Sequence, residues 1–270
     1  MAIRLRDRQV DPWIQPGGRL ISLPSTAMKW TGLLLTCVNS LGIAVFQRGL
    51  LKMDTYATIE DFTAAVADPA NGLMGLASTA AACVLIAAMA LPLYAKLIYE
   101  GWKRVTDKKT FFLRLALCAL VSEIPYDLAI NGRLLEFDVQ NPAWSLLLCA
   151  AMLEVLHIPK PRSKIASALL QAVTVAGALA WAVLLRFYLG TSMVLLAALF
   201  YFLEGNRSLS TLGGVLFTMP QFPAPFGMLF VHWYEPNEEK DAKLPNLFYI
   251  LYPVQLLVFG IVGLVLANLP

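Results

Sequence analysis

The chain has 270 residues and a formal net charge of +3; 58% of its residues are hydrophobic and only 14% are charged. With a mean hydropathy of +0.65, it lies far from soluble domains, which are about 45–50% apolar and about 25% charged. A large soluble core is excluded, a polytopic all-α membrane bundle is expected, and the absence of a basic or aromatic-interleaved stripe argues against nucleic acid as a partner.

The first 24 residues contain no apolar run of signal-peptide type, so the first spanning segment is expected to serve as its own uncleaved targeting signal. The expected organisation is a cytoplasmic tail, 1–27, and a single transmembrane domain, 28–270. A spanning helix needs about 20 mostly apolar residues. Eight windows qualify: 28–47, 73–99, 111–130, 143–158, 165–185, 187–203, 209–232 and 246–268. The fourth and sixth are short and the 185–187 junction is tight, so the count is eight or seven. The seventh contains "TMPQFPAPFG"; such a break is tolerated only where protein or a cavity satisfies the freed backbone groups. With eight crossings, Lys and Arg divide thirteen to six in favour of a cytoplasmic location for both termini, as the positive-inside rule prefers.

The third window is the unusual one. Within "FFLRLALCALVSEIPYDLAI" stand Glu123 and Asp127. Two central acids oppose insertion by about 5–7 kcal/mol, against about 3–6 kcal/mol returned by the ten Leu, Ile, Val and Phe residues. The segment must therefore turn both acids towards partners or water. Their i, i+4 spacing puts them on one helix face, and two like charges that close are costly in a low dielectric. Pro125 lacks an N–H and frees the carbonyl of Val121. Intramembrane acids are functional candidates by default; structural pairing with Lys96 or capping of the outer end is the alternative.

Other polar positions carry plainer expectations. Lys96 and Glu100 suit an edge ion pair, Gln140 and Asn141 a helix cap, and Glu154 with His157 a hydrogen-bonded pair. His232, beside Trp233 and Tyr234, suits an aromatic belt at the outer interface, and Arg114 an anchor near the cytoplasmic edge. The four cysteines show no metal spacing and read as core residues. Two histidines so placed make no metal site, and no catalytic or nucleotide-binding signature occurs in a useful context.

One ordered run of residues is more specific. "LPLYAKLIYEGWKRVTDKKTFFLRLALCALVSEIPYDLAI" followed by "QNPAWSLLLCAAML" resembles the TraX family of membrane proteins. Pro92, Glu100, Gly101, Arg114, Leu115, Ser122 through Asp127, Gln140 and Asn141 match that pattern. "MKWTGLLLTCVNSLG", "VLLAALFYFLEGNR" and "LFYILYPVQLLVFG" echo its first, sixth and last spans. The resemblance implies an integral, multi-pass protein of the cytoplasmic (inner) membrane. It further implies acetyl transfer from acetyl-CoA to an amine or hydroxyl, as in pilin acetylation during conjugation, with a peptide or protein as acceptor and no metal. A base inside the bundle would deprotonate the acceptor. Lys103, Arg104, Lys108, Lys109 and Arg114 would contact the donor phosphates, and Asn39, Ser40, Glu100, Gln140, Asn141, Tyr252 and Gln255 would line the cavity.

The departures define the expectation further. The family's first span ends Asp-His-x-Gly where this chain has Asn39, Ser40, Leu41 and Gly42. Its last span carries Tyr-Pro-x-His where this chain has Tyr252, Pro253, Val254 and Gln255, and an acid near the sixth span corresponds to Tyr188. Asn, Ser and Gln hydrogen-bond but take no proton at neutral pH. The resemblance thus implies a reaction either altered, with Glu123 or Asp127 as base, or lost. An inert membrane partner that binds a peptide or stabilises a complex is the second expectation, and a small-solute transporter the third.

Overall fold

A computed structural model describes residues 23–159, 161–235 and 247–269. The order is α1 Ser25–Ser40, continued as a π-helix over Leu41–Leu50, then α2 Ile59–Ala67, α3 Met74–Ala87 and α4 Ala90–Arg104. Next come α5 Lys108–Tyr126 with a π-helical extension Asp127–Asn131, α6 Pro142–His157, α7 Lys164–Leu184 and α8 Gly190–Phe202. The described chain ends with α9 Arg207–Thr218, α10 Gly227–Trp233 and α11 Leu247–Ala267. Every apolar window is helical, and no strand occurs among the described residues.

Among the described residues, four helices are long and apolar enough to cross a membrane: Ser25–Leu50, Met74–Arg104, Lys164–Leu184 and Leu247–Ala267. The second has 31 residues, about 46 Å at helical rise, well beyond the roughly 30 Å of hydrocarbon. It bends where α3 meets α4, at Ala88 and Met89.

The two ends of the bundle are identified by their contacts. At one end Lys103 pairs with Glu204, the Trp102 and His157 rings meet, and Trp30 packs on Phe248. At the other, Arg186 pairs with Asp138 at 2.8 Å and Lys52 Nζ donates to the Leu269 carbonyl at 2.7 Å. The seventh window does not cross between these ends. Arg207, which opens α9, donates to the Tyr234 carbonyl just beyond α10 at 2.5 Å. Arg104 donates to the Tyr234 hydroxyl at 2.9 Å, and Leu23 exchanges backbone bonds with Trp233 and Glu235. The proline-rich break therefore turns the chain back, and α9 and α10 form a re-entrant pair. Leu23 lies at this end of the bundle and Leu269 at the other. His232, exposed and bonded to Thr211, lies with Tyr234 at the Arg104 end, not at the opposite interface.

Capping follows the sequence. Asn141 opens α6, its Oδ1 accepting from Ala143 N at 2.8 Å. Asp107 caps α5 by accepting from Thr110, and those bonds hold its carboxyl below the usual carboxylate range. The exposed α2 opens with a capping box between Thr58 and Asp61.

Packing between the first and last helices depends on backbone proximity, as expected where lipid and side chains are equally apolar. The π-helical part of α1 lies along α11. A Cβ on Gly263 would collide with the Ala44 carbonyl, and one on Gly49 would sit 3.0 Å from Leu266 Cβ. Gly132 follows the α5 extension with φ of +62°, in contact with the Arg48 guanidinium. Arg48 in turn donates to the Ile130 carbonyl at 3.0 Å and pairs with Asp54 at 2.5 Å. Only glycine fits both the backbone angle and that space.

Candidate functional site

A central cavity of about 440 Å³ runs between α1, α4, α5, α6, α11 and the re-entrant turn. Lys29, Gly101 and Phe248 line it at the Arg104 end, while Asn39, Ser40, Tyr126 and Tyr188 line it towards the other. Most of the wall is aliphatic or aromatic, interrupted by Thr36, Tyr94, Cys118, Gln221, Tyr249 and Tyr252. At the position of the family's Asp-His pair, Asn39 and Ser40 face this space; the Ser40 hydroxyl donates back to the Thr36 carbonyl at 3.0 Å.

Glu123 and Asp127 do not line the cavity. They also do not share one environment. Glu123 Oε2 accepts from Asn141 Nδ2 and from Trp144 Nε1 at 2.8 Å, so α5 is tied to the start of α6. Its Oε1 is buried with no hydrogen-bond partner. Asp127 is 0% exposed and fully engaged: Oδ1 accepts from Asn131 at 3.2 Å and Oδ2 from the Glu136 backbone at 2.8 Å. Asp127 thus anchors the loop after α5. Neither acid pairs with Lys96, which instead bonds Glu100 at 2.7 Å amid the rings of Tyr99, Phe200 and Tyr234.

Four other residues expected in the cavity lie outside its wall: Glu100, Gln140, Asn141 and Gln255. Glu100 holds Lys96 and Arg104. Gln140 exchanges backbone bonds with Arg186 and Tyr188. Asn141 is fully buried and also donates to the Ala119 carbonyl at 2.9 Å. The buried Gln255 amide has no partner for either of its polar atoms. The expected bond between Glu154 and His157 is replaced, with Glu154 accepting from Trp102 Nε1 at 2.7 Å.

Of the basic residues, Lys103 is paired with Glu204. Arg104 is held by Glu100 and Tyr234, and Lys108 by the Trp102 carbonyl and ring. Lys109 and Arg114 are exposed on α5. Sequence reasoning missed Lys29, Tyr94, Tyr126, Gln221 and Tyr249 as wall residues. The available signal was a set of tyrosines recurring inside otherwise aliphatic windows, together with a glutamine in the proline-rich break. Among the described residues no group of His, Cys, Asp and Glu could hold a metal ion.

The sequence model described as "TraX protein" matches residues 25–263. Neither a curated protein nor a solved structure matches the chain. The family match runs from the opening of α1 almost to the end of α11 and encloses the whole cavity, so the chain belongs to the TraX family.

Proposed function

We propose that the chain is a multi-pass protein of the cytoplasmic membrane that binds an acyl donor of the acetyl-CoA type. The donor's nucleotide would lie on the face bearing Arg104 and its acyl end in the central cavity, for transfer to an amine or hydroxyl of a peptide or protein. One observation carries this reading. The cavity begins beside the basic turn and reaches Asn39, Ser40 and Tyr252, the positions that correspond to the family's reactive motifs. Exposed Lys109 and Arg114 suit phosphate contact, whereas Lys103, Arg104 and Lys108 serve internal partners. We assign no base: Glu123 lies behind the wall, tied to Asn141 and Trp144, and Asp127 is assigned to the loop.

Seven crossings with a cytoplasmic N-terminus accompany this reading. With seven crossings, the sequence segment holding Lys240 and Lys243, which lie outside the described residues, would count with the basic segments, and Lys and Arg would divide fifteen to four, a stronger asymmetry than eight crossings allow. In a variant without native cysteines, single cysteines at Glu204 and Glu235 should label from the same side as each other, and one at Thr55 from the opposite side. Labelling of Glu204 and Glu235 from different sides would restore the eighth crossing.

Calorimetry with acetyl-CoA on wild type and on Lys109→Ala/Arg114→Ala tests donor binding. Micromolar affinity that weakens several-fold and salt-dependently in the double variant is expected. No binding to folded protein at millimolar donor would favour a second reading, a binding partner without chemistry. That reading has its own support: the described wall holds no carboxylate or imidazole.

A further inference from the structure

An acetyl group would fill only a small part of the cavity. The cavity's volume of about 440 Å³ is about three times the roughly 150 Å³ of an aliphatic cavity that accommodates benzene, room for on the order of eighteen carbons. It is also elongated. The stretch of α1 from Lys29 to Ser40 lines it, which at helical rise is about 16 Å. The wall chemistry limits what can fill that length. An extended peptide would bring an N–H and a C=O at every residue, each needing a partner, and buried polar groups without partners are costly. Leu33, Leu97, Ile98, Phe111, Leu115 and Leu146 offer none. A hydrocarbon chain asks for none.

The wall of the cavity is also exposed on one side. Leu85 of α3 and Phe222 of the re-entrant turn both line it and are 51% and 64% exposed. Residues that are wall and surface together mark an opening, here between α3 and the break between α9 and α10. At the Arg104 end of the space stands Lys29, beside the Phe248 ring.

We infer that the cavity is a binding site for a single long apolar chain, the chain running from Lys29 towards Ser40 and reachable from the bilayer between Leu85 and Phe222. This inference rests on the donor reading above in one respect, since such a ligand is either a long-chain acyl-CoA or a membrane lipid. The shared chemistry is the long acyl chain.

The test is calorimetry of the full chain in nanodiscs with acetyl-, butyryl-, hexanoyl- and octanoyl-CoA, with empty-disc partitioning subtracted. A parallel series of lysophosphatidylglycerols carries the same chain lengths without coenzyme A. Each buried methylene strengthens binding about fourfold, about 0.8 kcal/mol. A rise of at least about a hundredfold from acetyl to octanoyl is therefore expected, and Leu97→Trp and Ala143→Leu, which fill the cavity, should flatten it at unchanged thermal midpoint. A flat series with coenzyme A still bound would overturn the chain inference and leave the donor reading. Chain-length dependence in the lysolipids alone would keep the inference, with lipid as the source, and overturn the donor reading. Dependence in neither series, or dependence that survives both filling variants, would overturn the inference.

Discussion

Gly263→Leu is expected to remove the folded protein from detergent extracts, or to lower its stability by at least about 3 kcal/mol, the upper part of the range for overpacked sites. The reason is what the new side chain meets. A Cβ at this position runs into the Ala44 carbonyl of the π-helical part of α1, and backbone cannot swing aside as a side chain can. The crossing of α1 and α11 would have to open, and with it the cavity wall, to which Asn39, Ser40, Tyr252 and Leu256 contribute. Gly177→Leu on α7, where nothing lies within 4 Å, should stay within about 0.5 kcal/mol, as surface substitutions do. Fluorescence-detected thermal unfolding of the two variants side by side measures the difference. Equal midpoints would mean that the first and last helices are not in backbone contact.

Asn141→Ala is expected to destabilise by about 2–4 kcal/mol. It removes a helix cap, worth about 1 kcal/mol, and it withdraws the donor to a buried carboxyl, which adds about 1–3 kcal/mol. Glu123→Gln keeps the shape and one acceptor, so it should shift stability by less than Asn141→Ala does. In a double-mutant cycle the pair should couple by about 0.5–3 kcal/mol, as contacting residues do. The Trp144 Nε1 bond to Glu123 supplies an independent optical readout. Additive effects with unchanged tryptophan fluorescence would separate Glu123 from Asn141 and leave the α5–α6 junction unexplained.

Much of this architecture is legible in the amino-acid order because lipid imposes simple arithmetic. Each apolar window became helical, Asn141 of the Gln140–Asn141 pair became a cap, and the proline-rich break interrupted its helix. What stayed hidden is direction. A break such as "TMPQFPAPFG" says that a helix stops, but a kinked crossing and a return leave the same residues; only the meeting of Arg207 with Tyr234 tells them apart. The same holds for Glu123 and Asp127. Their i, i+4 spacing assigns them one face, yet the helix becomes π-helical at Asp127, and its wider turn accompanies a separate set of partners for each acid. Side-chain type also misled where it was most suggestive. Charged and amide residues were expected around the cavity; Asn39 lines it, but Glu100, Glu123 and Asn141 find protein partners behind a wall rich in tyrosines and leucines.

The position of the first and last helices in that wall has a consequence for how the protein comes into being. Leu33 and Tyr252 face the same space but are separated by more than two hundred residues of synthesis. At about 5–20 residues per second, the second arrives roughly 10–40 seconds after the first. Throughout that interval the wall to which α11 contributes is missing, and α11 can complete it only after the rest of the bundle has been made. If the cavity takes an acyl chain as inferred above, the membrane that receives the nascent protein would be the first source of one.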